Sequence, residues 1–119
     1  MAQQPPLRDD TIVIRFAKGF VKDLARSAET CYRYREYYGL SFSGENDMTE
    51  DEVALQTNHK SGWMRTSTLG KLREAGFSLE RSGRAPHLTL MFSGKPSEEE
   101  LERLMGLFDE PKENPHPSN

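Results

Sequence analysis

The sequence holds a single cysteine, Cys31, which excludes an internal disulfide framework and any zinc site built from several thiolates. The same scarcity predicts a reducing, cytoplasmic setting. No apolar run approaches the roughly 18 residues that a membrane-crossing helix needs, so no membrane partner is expected. The opening Met1-Ala2-Gln3-Gln4-Pro5-Pro6 carries neither a basic stretch nor an apolar one, which argues against a secretory signal. Gly-rich phosphate loops, dinucleotide fingerprints and His/carboxylate zinc motifs are missing too. Neither a cofactor nor a bound metal is therefore expected. Hydrophobic residues make up 34% and charged residues 29% of the 119, a slightly polar balance that still supports one small core.

What the chain does have is charge in blocks. The net charge is only −3, but residues 15–36 and 59–95 are basic, whereas 43–58 and 97–113 are acidic. A basic middle between acidic blocks can present a positive face to a polyanion. Interleaving of the blocks in space would instead neutralise them as ordinary solvated faces.

Hydrophobic periodicity predicts the elements. Thr11 to Ala17 is rich in β-branched residues and reads as a strand, with Ile12, Ile14 and Phe16 on one face. Phe20, Leu24, Ala28 and Cys31 recur at helical spacing and predict a helix from about Phe20 to Tyr37, ended by Gly39. Leu40 to Ser43 alternates as a short strand. Thr49 and Glu52 form a capping box that starts a short helix. Trp63-Met64 begins an extended segment, and Thr66-Ser67-Thr68 supplies caps for a helix over Leu69, Leu72 and Ala75 that stops at Gly76. Phe77 to Glu80 and His87 to Phe92 are two strands close enough for an antiparallel hairpin. Ser97 and Glu100 form a second capping box before the stripe Leu101, Leu104, Met105 and Phe108. The predicted order is β-α-β-α-α-β-β-α, a single α+β domain over 11–109 with packed helices on a small, largely antiparallel sheet. Residues 1–10 and the acidic, Pro-rich 110–119 are expected to be flexible.

The richest stretch for chemistry is His87-Leu88-Thr89-Leu90-Met91-Phe92. Alternation on a strand sends Leu88, Leu90 and Phe92 to the core and projects His87 and Thr89 together from the other face. An imidazole beside a hydroxyl, with Arg84 nearby, suits phosphodiester chemistry: a base for the 2′-hydroxyl proton and cations for the phosphorane charge. His87, Thr89 and Arg84 are the candidate catalytic residues. His59-Lys60-Ser61 is a second His-x-hydroxyl element, and two of these on paired strands are similar to the two-histidine phosphoesterases. Its segment reads as a loop, from which His59, Lys60 and Arg65 would approach His87. Candidate RNA contacts are Lys60, Arg65, Lys71, Arg33 and Arg35, with Tyr34 and Trp63 as stacking platforms. Cys31, on the apolar stripe, reads as a small buried hydrophobe.

Lys71-Leu72-Arg73-Glu74-Ala75-Gly76-Phe77-Ser78-Leu79-Glu80, followed by Arg81-Ser82-Gly83-Arg84-Ala85-Pro86-His87, carries a local resemblance. Residues 69–90 look like the helix–Gly-Phe–strand–turn–His segment of HicA-type toxins. Those are small mRNA-cleaving proteins with a double-stranded-RNA-binding-like fold that pair with an antitoxin. The resemblance implies RNA cleavage with His87 catalytic. Ala85-Pro86-His87 stands where that family has Gly-Ser-His, and the N-terminal half has no counterpart in it. The leading expectation is a small RNA-directed protein, an endoribonuclease of toxin–antitoxin type. Two alternatives stay open: a non-catalytic protein-interaction module or accessory subunit, and a non-catalytic nucleic-acid binder.

Overall fold

The structure is a computed structural model, and it describes residues 4–118. Six strands form one antiparallel sheet: β1 Ile12–Arg15, β2 Gly39–Ser43, β3 Trp63–Thr68, β4 Leu79–Arg81, β5 His87–Met91 and β6 Lys112–Glu113, in the order β4-β5-β2-β1-β3-β6. Four helices pack on it: α1 Val21–Arg35, α2 Glu50–Thr57, α3 Leu69–Glu74 and α4 Glu98–Met105. The α+β class and the sheet's antiparallel character are as the sequence predicts. The chain order adds β3 and β6 to the expected elements.

Alternation divides the apolar residues between the two faces of the sheet. Val13, Leu40, Phe42, Leu88 and Leu90 meet α1, α3 and α4 through Leu24, Ala28, Leu69, Leu72, Leu101 and Leu104, which makes the main core. Ile14, Phe16 and Met64 point the other way and meet Val53 and Ala54 of α2. An eight-residue helix covers only part of that second face, over β1 and β3. Over β2 and β5 the same face carries Ser41, paired with Thr89, and Ser43, paired with His87.

Several boundaries differ from expectation for local reasons. Thr66-Ser67-Thr68 extends β3, because all three pair with β1, and Thr68 stands at the N-cap of α3 as expected but without a side-chain cap bond. Thr66 and Ser67 are buried, with hydroxyls bonded to the Asp109 carboxylate and the Leu107 carbonyl. The first amides of α3 are met instead by backbone: Leu69 N–H donates to Thr11 O, and Gly70 N–H to Asp9 O. Helix α1 ends at Arg35, with Glu36 in the left-handed region at φ 64° donating its N–H to Tyr32 O. Gly39 opens β2, where a Cβ would stand 2.9 Å from the Tyr37 ring and 3.1 Å from Leu90 O. The Thr49–Glu52 capping box is complete, while Ser97 accepts from Glu100 N without the reciprocal bond.

Within the segments that composition reads as flexible, some described residues are packed against the domain. Leu7 is buried in the main core. Residues 112–113 pair with β3, and Asn114 is only 5% exposed. Composition registers the polar, proline-rich character of these segments but not the buried Leu7 and Asn114 within them.

Candidate functional site

Strand β1 stays paired with β3 along its length but parts early from β2, and that departure makes the site. Only Ile14↔Ser43 registers β1 against β2, so the β2 edge beyond it is not zipped to a neighbour. Arg15 fills the place: its Nη1 donates to Ser41 O at 2.8 Å, standing in for a strand amide, and its Nη2 reaches Ser27 Oγ of α1 at 3.3 Å. Two adjoining cavities open here. The larger, about 660 Å³, is lined by Arg15, Ser41, His87, Thr89 and Ser82 on the sheet side. Its α1 wall is Ser27, Thr30, Cys31 and Tyr34, one helical stripe, with Arg35 and Tyr37 beyond. The smaller, about 320 Å³, shares Arg15, Ser27, Ser41 and His87 and adds Thr57 and His59. Together they fall in the size range of small-ligand clefts.

The two imidazoles are held in opposite senses. The Ser82 carbonyl can only accept, and it lies 3.0 Å from His87 Nδ1, an arrangement that favours the proton on Nδ1. His87 Nε2 then carries a free lone pair. Ser82 Oγ, 2.9 Å from the same Nδ1, lies 2.6 Å from Thr89 Oγ1, which ties the expected His87–Thr89 pair through a third residue. His59 is the mirror case. Its Nδ1 accepts from Ser61 N–H at 2.9 Å, which leaves the proton on Nε2. The ring stacks on Phe16 with centroids 5.4 Å apart. Burial, then the positive charges of Arg15 and Lys60, hold the His59 imidazole below its ordinary pKa. It is a neutral hydrogen-bond donor at neutral pH.

Arg15 is the residue that sequence reasoning missed. Burial pushes its guanidinium below its ordinary pKa, only partly opposed by Asp23. An arginine stays protonated all the same, so the burial is felt as an unfavourable isolated charge. Among the described residues it forms no ion pair, and its Nε is buried without a partner. Thr57 Oγ1, in the smaller cavity, is buried and unpartnered as well. The one available signal was an arginine at the end of a β-branched strand, next to the lysine and glycine that break it.

The other predicted residues distribute as follows. Tyr34 and Arg35 line the larger cavity, and Tyr34 is 78% exposed. Arg84 is exposed in the β4–β5 turn, where its carbonyl accepts from His87 N–H, and it lines neither cavity. Arg33, Lys60 and Lys71 are exposed outside both cavities. Trp63 lies under the Lys18 ammonium, 4.7 Å from its ring centroid. Arg65 is spent on structure: its guanidinium donates to the carbonyls of Asp109, Met105 and Phe108. Cys31 is half-buried on the cavity wall rather than in the core.

Among the described residues, no three His, Cys, Asp or Glu side chains converge as metal ligands. No described helix is long and apolar enough to cross a membrane. Comparison of the chain with protein-family models, with curated proteins and with solved structures finds no match.

Proposed function

We propose that this protein cleaves single-stranded RNA at the cleft shared by His87, His59 and Arg15, using acid–base and electrostatic catalysis by its own side chains. The observation that carries the reading is the convergence of two imidazoles with complementary tautomers on an arginine that forms no ion pair among the described residues. A half-buried cation that forms no ion pair offers an anion a strong electrostatic partner. The phosphodiester would sit against Arg15 and the His59 Nε2–H, both donating to its non-bridging oxygens. His87 Nε2 takes the 2′-hydroxyl proton as the 2′-oxygen bonds to phosphorus. The P–O5′ bond breaks, and the 5′-oxygen takes a proton from water. The products are a 2′,3′-cyclic phosphate and a 5′-hydroxyl end.

Tyr34 and Tyr37, with Arg35, offer a wall on which one unpaired base can stack. A cavity of about 660 Å³ takes a splayed nucleotide and not a duplex. In the HicA-type setting that residues 69–90 resemble, such a chain would be the mRNA-cleaving member of a toxin–antitoxin pair. The test is incubation of the purified protein with single-stranded RNA in excess chelator, beside His87→Ala. Cyclic phosphate ends from the wild type and a loss of about 100-fold or more in the variant are expected. Equal cleavage by both proteins, or none by the wild type, overturns the proposal.

A further inference from the structure

The segment after β6 runs to the far side of the His59 loop and fastens it. Asn114 is buried, and every polar atom of its side chain is committed. Its Nδ2 donates to Ser61 O at 2.9 Å and to His59 O at 3.4 Å. Its Oδ1 accepts from His116 N–H at 2.9 Å. Its backbone N–H donates to Gly62 O at 2.9 Å, and Ser118 N–H donates to His59 O at 3.0 Å. The segment is itself clipped to the first turn of α2, by Lys112 on Glu50 and by His116 Nε2 on Asp51 Oδ1 at 2.9 Å. Carbonyls 59, 61 and 62 are thus all held by Asn114 and Ser118, while Ser61 N–H fixes the imidazole.

From this geometry we infer that Asn114 is a positioning residue, which sets the orientation and tautomer of His59 by holding the carbonyls of its loop. The inference rests on the proposed reading for its chemistry, but its structural half stands apart from it. Asn114 lines neither cavity. A residue with only a packing role would not need both amide protons aimed at one three-residue loop. Released from Asn114, the loop has no other described side chain on the His59 or Ser61 carbonyls, and the Ser61 N–H···Nδ1 bond loses its fixed geometry. The Nε2–H would then point into the cleft for only part of the time. Misplacement of a catalytic group by about 1 Å costs on the order of 100-fold in rate.

The experiment uses the full chain labelled with ¹⁵N-histidine, with imidazole resonances followed against pH in the wild type, Asn114→Ala and Ser118→Pro. Ser118→Pro removes the N–H that serves His59 O, fixes φ locally and leaves the buried Asn114 side chain untouched, so it keeps the test open if the buried substitution perturbs folding. The wild type should show His59 as a fixed Nε2–H tautomer that titrates below the ordinary histidine value. Asn114→Ala should show averaged His59 tautomers and a midpoint moved up towards the ordinary histidine value, and Ser118→Pro, which keeps the Asn114 bonds, a smaller change of the same sign, with the His87 resonances unchanged in both. In RNA cleavage, Asn114→Ala should lower kcat about 10- to 100-fold with KM within about twofold. An unchanged His59 signature in both folded variants overturns the positioning role. A wild type that shows the His59 signature but cleaves no RNA overturns the proposed function and leaves the positioning of His59 standing.

Discussion

Replacing Arg15 by methionine separates a cation that serves the fold from one that serves a ligand. In the unliganded protein the guanidinium gives one good hydrogen bond, to Ser41 O, and a longer one to Ser27 Oγ. It also lies 5.8 Å from the Phe42 ring centroid. Losing these costs about 1 kcal/mol for the carbonyl and about 0.5 kcal/mol for the ring contact. Against that, exchanging a buried ion for a hydrophobic side chain of similar volume typically returns about 1–4 kcal/mol, towards the low end beside an open cleft. The two nearly cancel. Arg15→Met should therefore unfold in urea within about 1 kcal/mol of the wild type, where removing one partner of a buried ion pair costs about 3–5 kcal/mol.

Ligand should separate the two proteins. With inorganic phosphate at 50-fold over a dissociation constant of about 1 mM, the wild type gains RT ln 51, or about 2.3 kcal/mol. That is roughly 9 °C in Tm for a chain of this size, at about 4 °C per kcal/mol. Arg15→Met should show little of it. Urea titration and thermal melts with and without phosphate decide the matter. A variant destabilised by more than about 3 kcal/mol, or one that phosphate stabilises as well as the wild type, would refute the reasoning.

Three further outcomes are expected. Tyr34→Ala should raise KM for single-stranded RNA by roughly tenfold, since base–aromatic stacking is worth about 1–3 kcal/mol; steady-state kinetics read it, and an unchanged KM removes Tyr34 from the binding wall. Glu45, held below the usual carboxylate range chiefly by its hydrogen bond to Arg81, contributes stability above its unfolded pKa that is lost as pH falls through the folded one. Glu45→Gln should accordingly cost about 1–2 kcal/mol at pH 7, with the gap to wild type closing in acid; a gap of constant size across urea titrations from pH 7 to pH 3 contradicts the pairing. His59, whose pKa is lowered by folding, makes the protein lose stability as pH drops below the ordinary histidine value of about 6.5. His59→Asn should flatten that part of the stability–pH curve, and an unaltered slope would show that the imidazole is not held neutral.

Much of the fold was legible because its signals are local. The β-branched run at Ile12–Ile14, the helical stripe through Leu24 and Ala28, and the Thr49–Glu52 cap each act within a few residues. Strand β3 was misplaced in part because Thr66-Ser67-Thr68 suits a strand and a helix cap equally, and pairing with β1 carries the strand up to the N-cap of α3. Residues 112–113 gave no strand signal, since their pairing depends on a partner some fifty positions earlier in the chain. At the site, His87 and Thr89 share one sheet face as strand alternation requires. Arg15 was not legible, because its significance lies in what it lacks among the described residues, an ion-pair partner and a rung of the β1–β2 ladder. Arg65 attracted attention as one base in a basic block, yet three carbonyls claim its guanidinium. Charge counted along a chain does not distinguish a cation that is free from one that is occupied.

The early departure of β1 has a consequence for how this site could arise or vanish. Arg15 and an ordinary strand amide compete for the same acceptor, Ser41 O. Lengthening the β1–β2 ladder by one rung past Arg15 would satisfy that carbonyl from the backbone and evict the guanidinium from the cleft. The sheet would be better knit and the anion site gone, so small shifts in where the Lys18-Gly19 break falls would exchange regularity for reactivity.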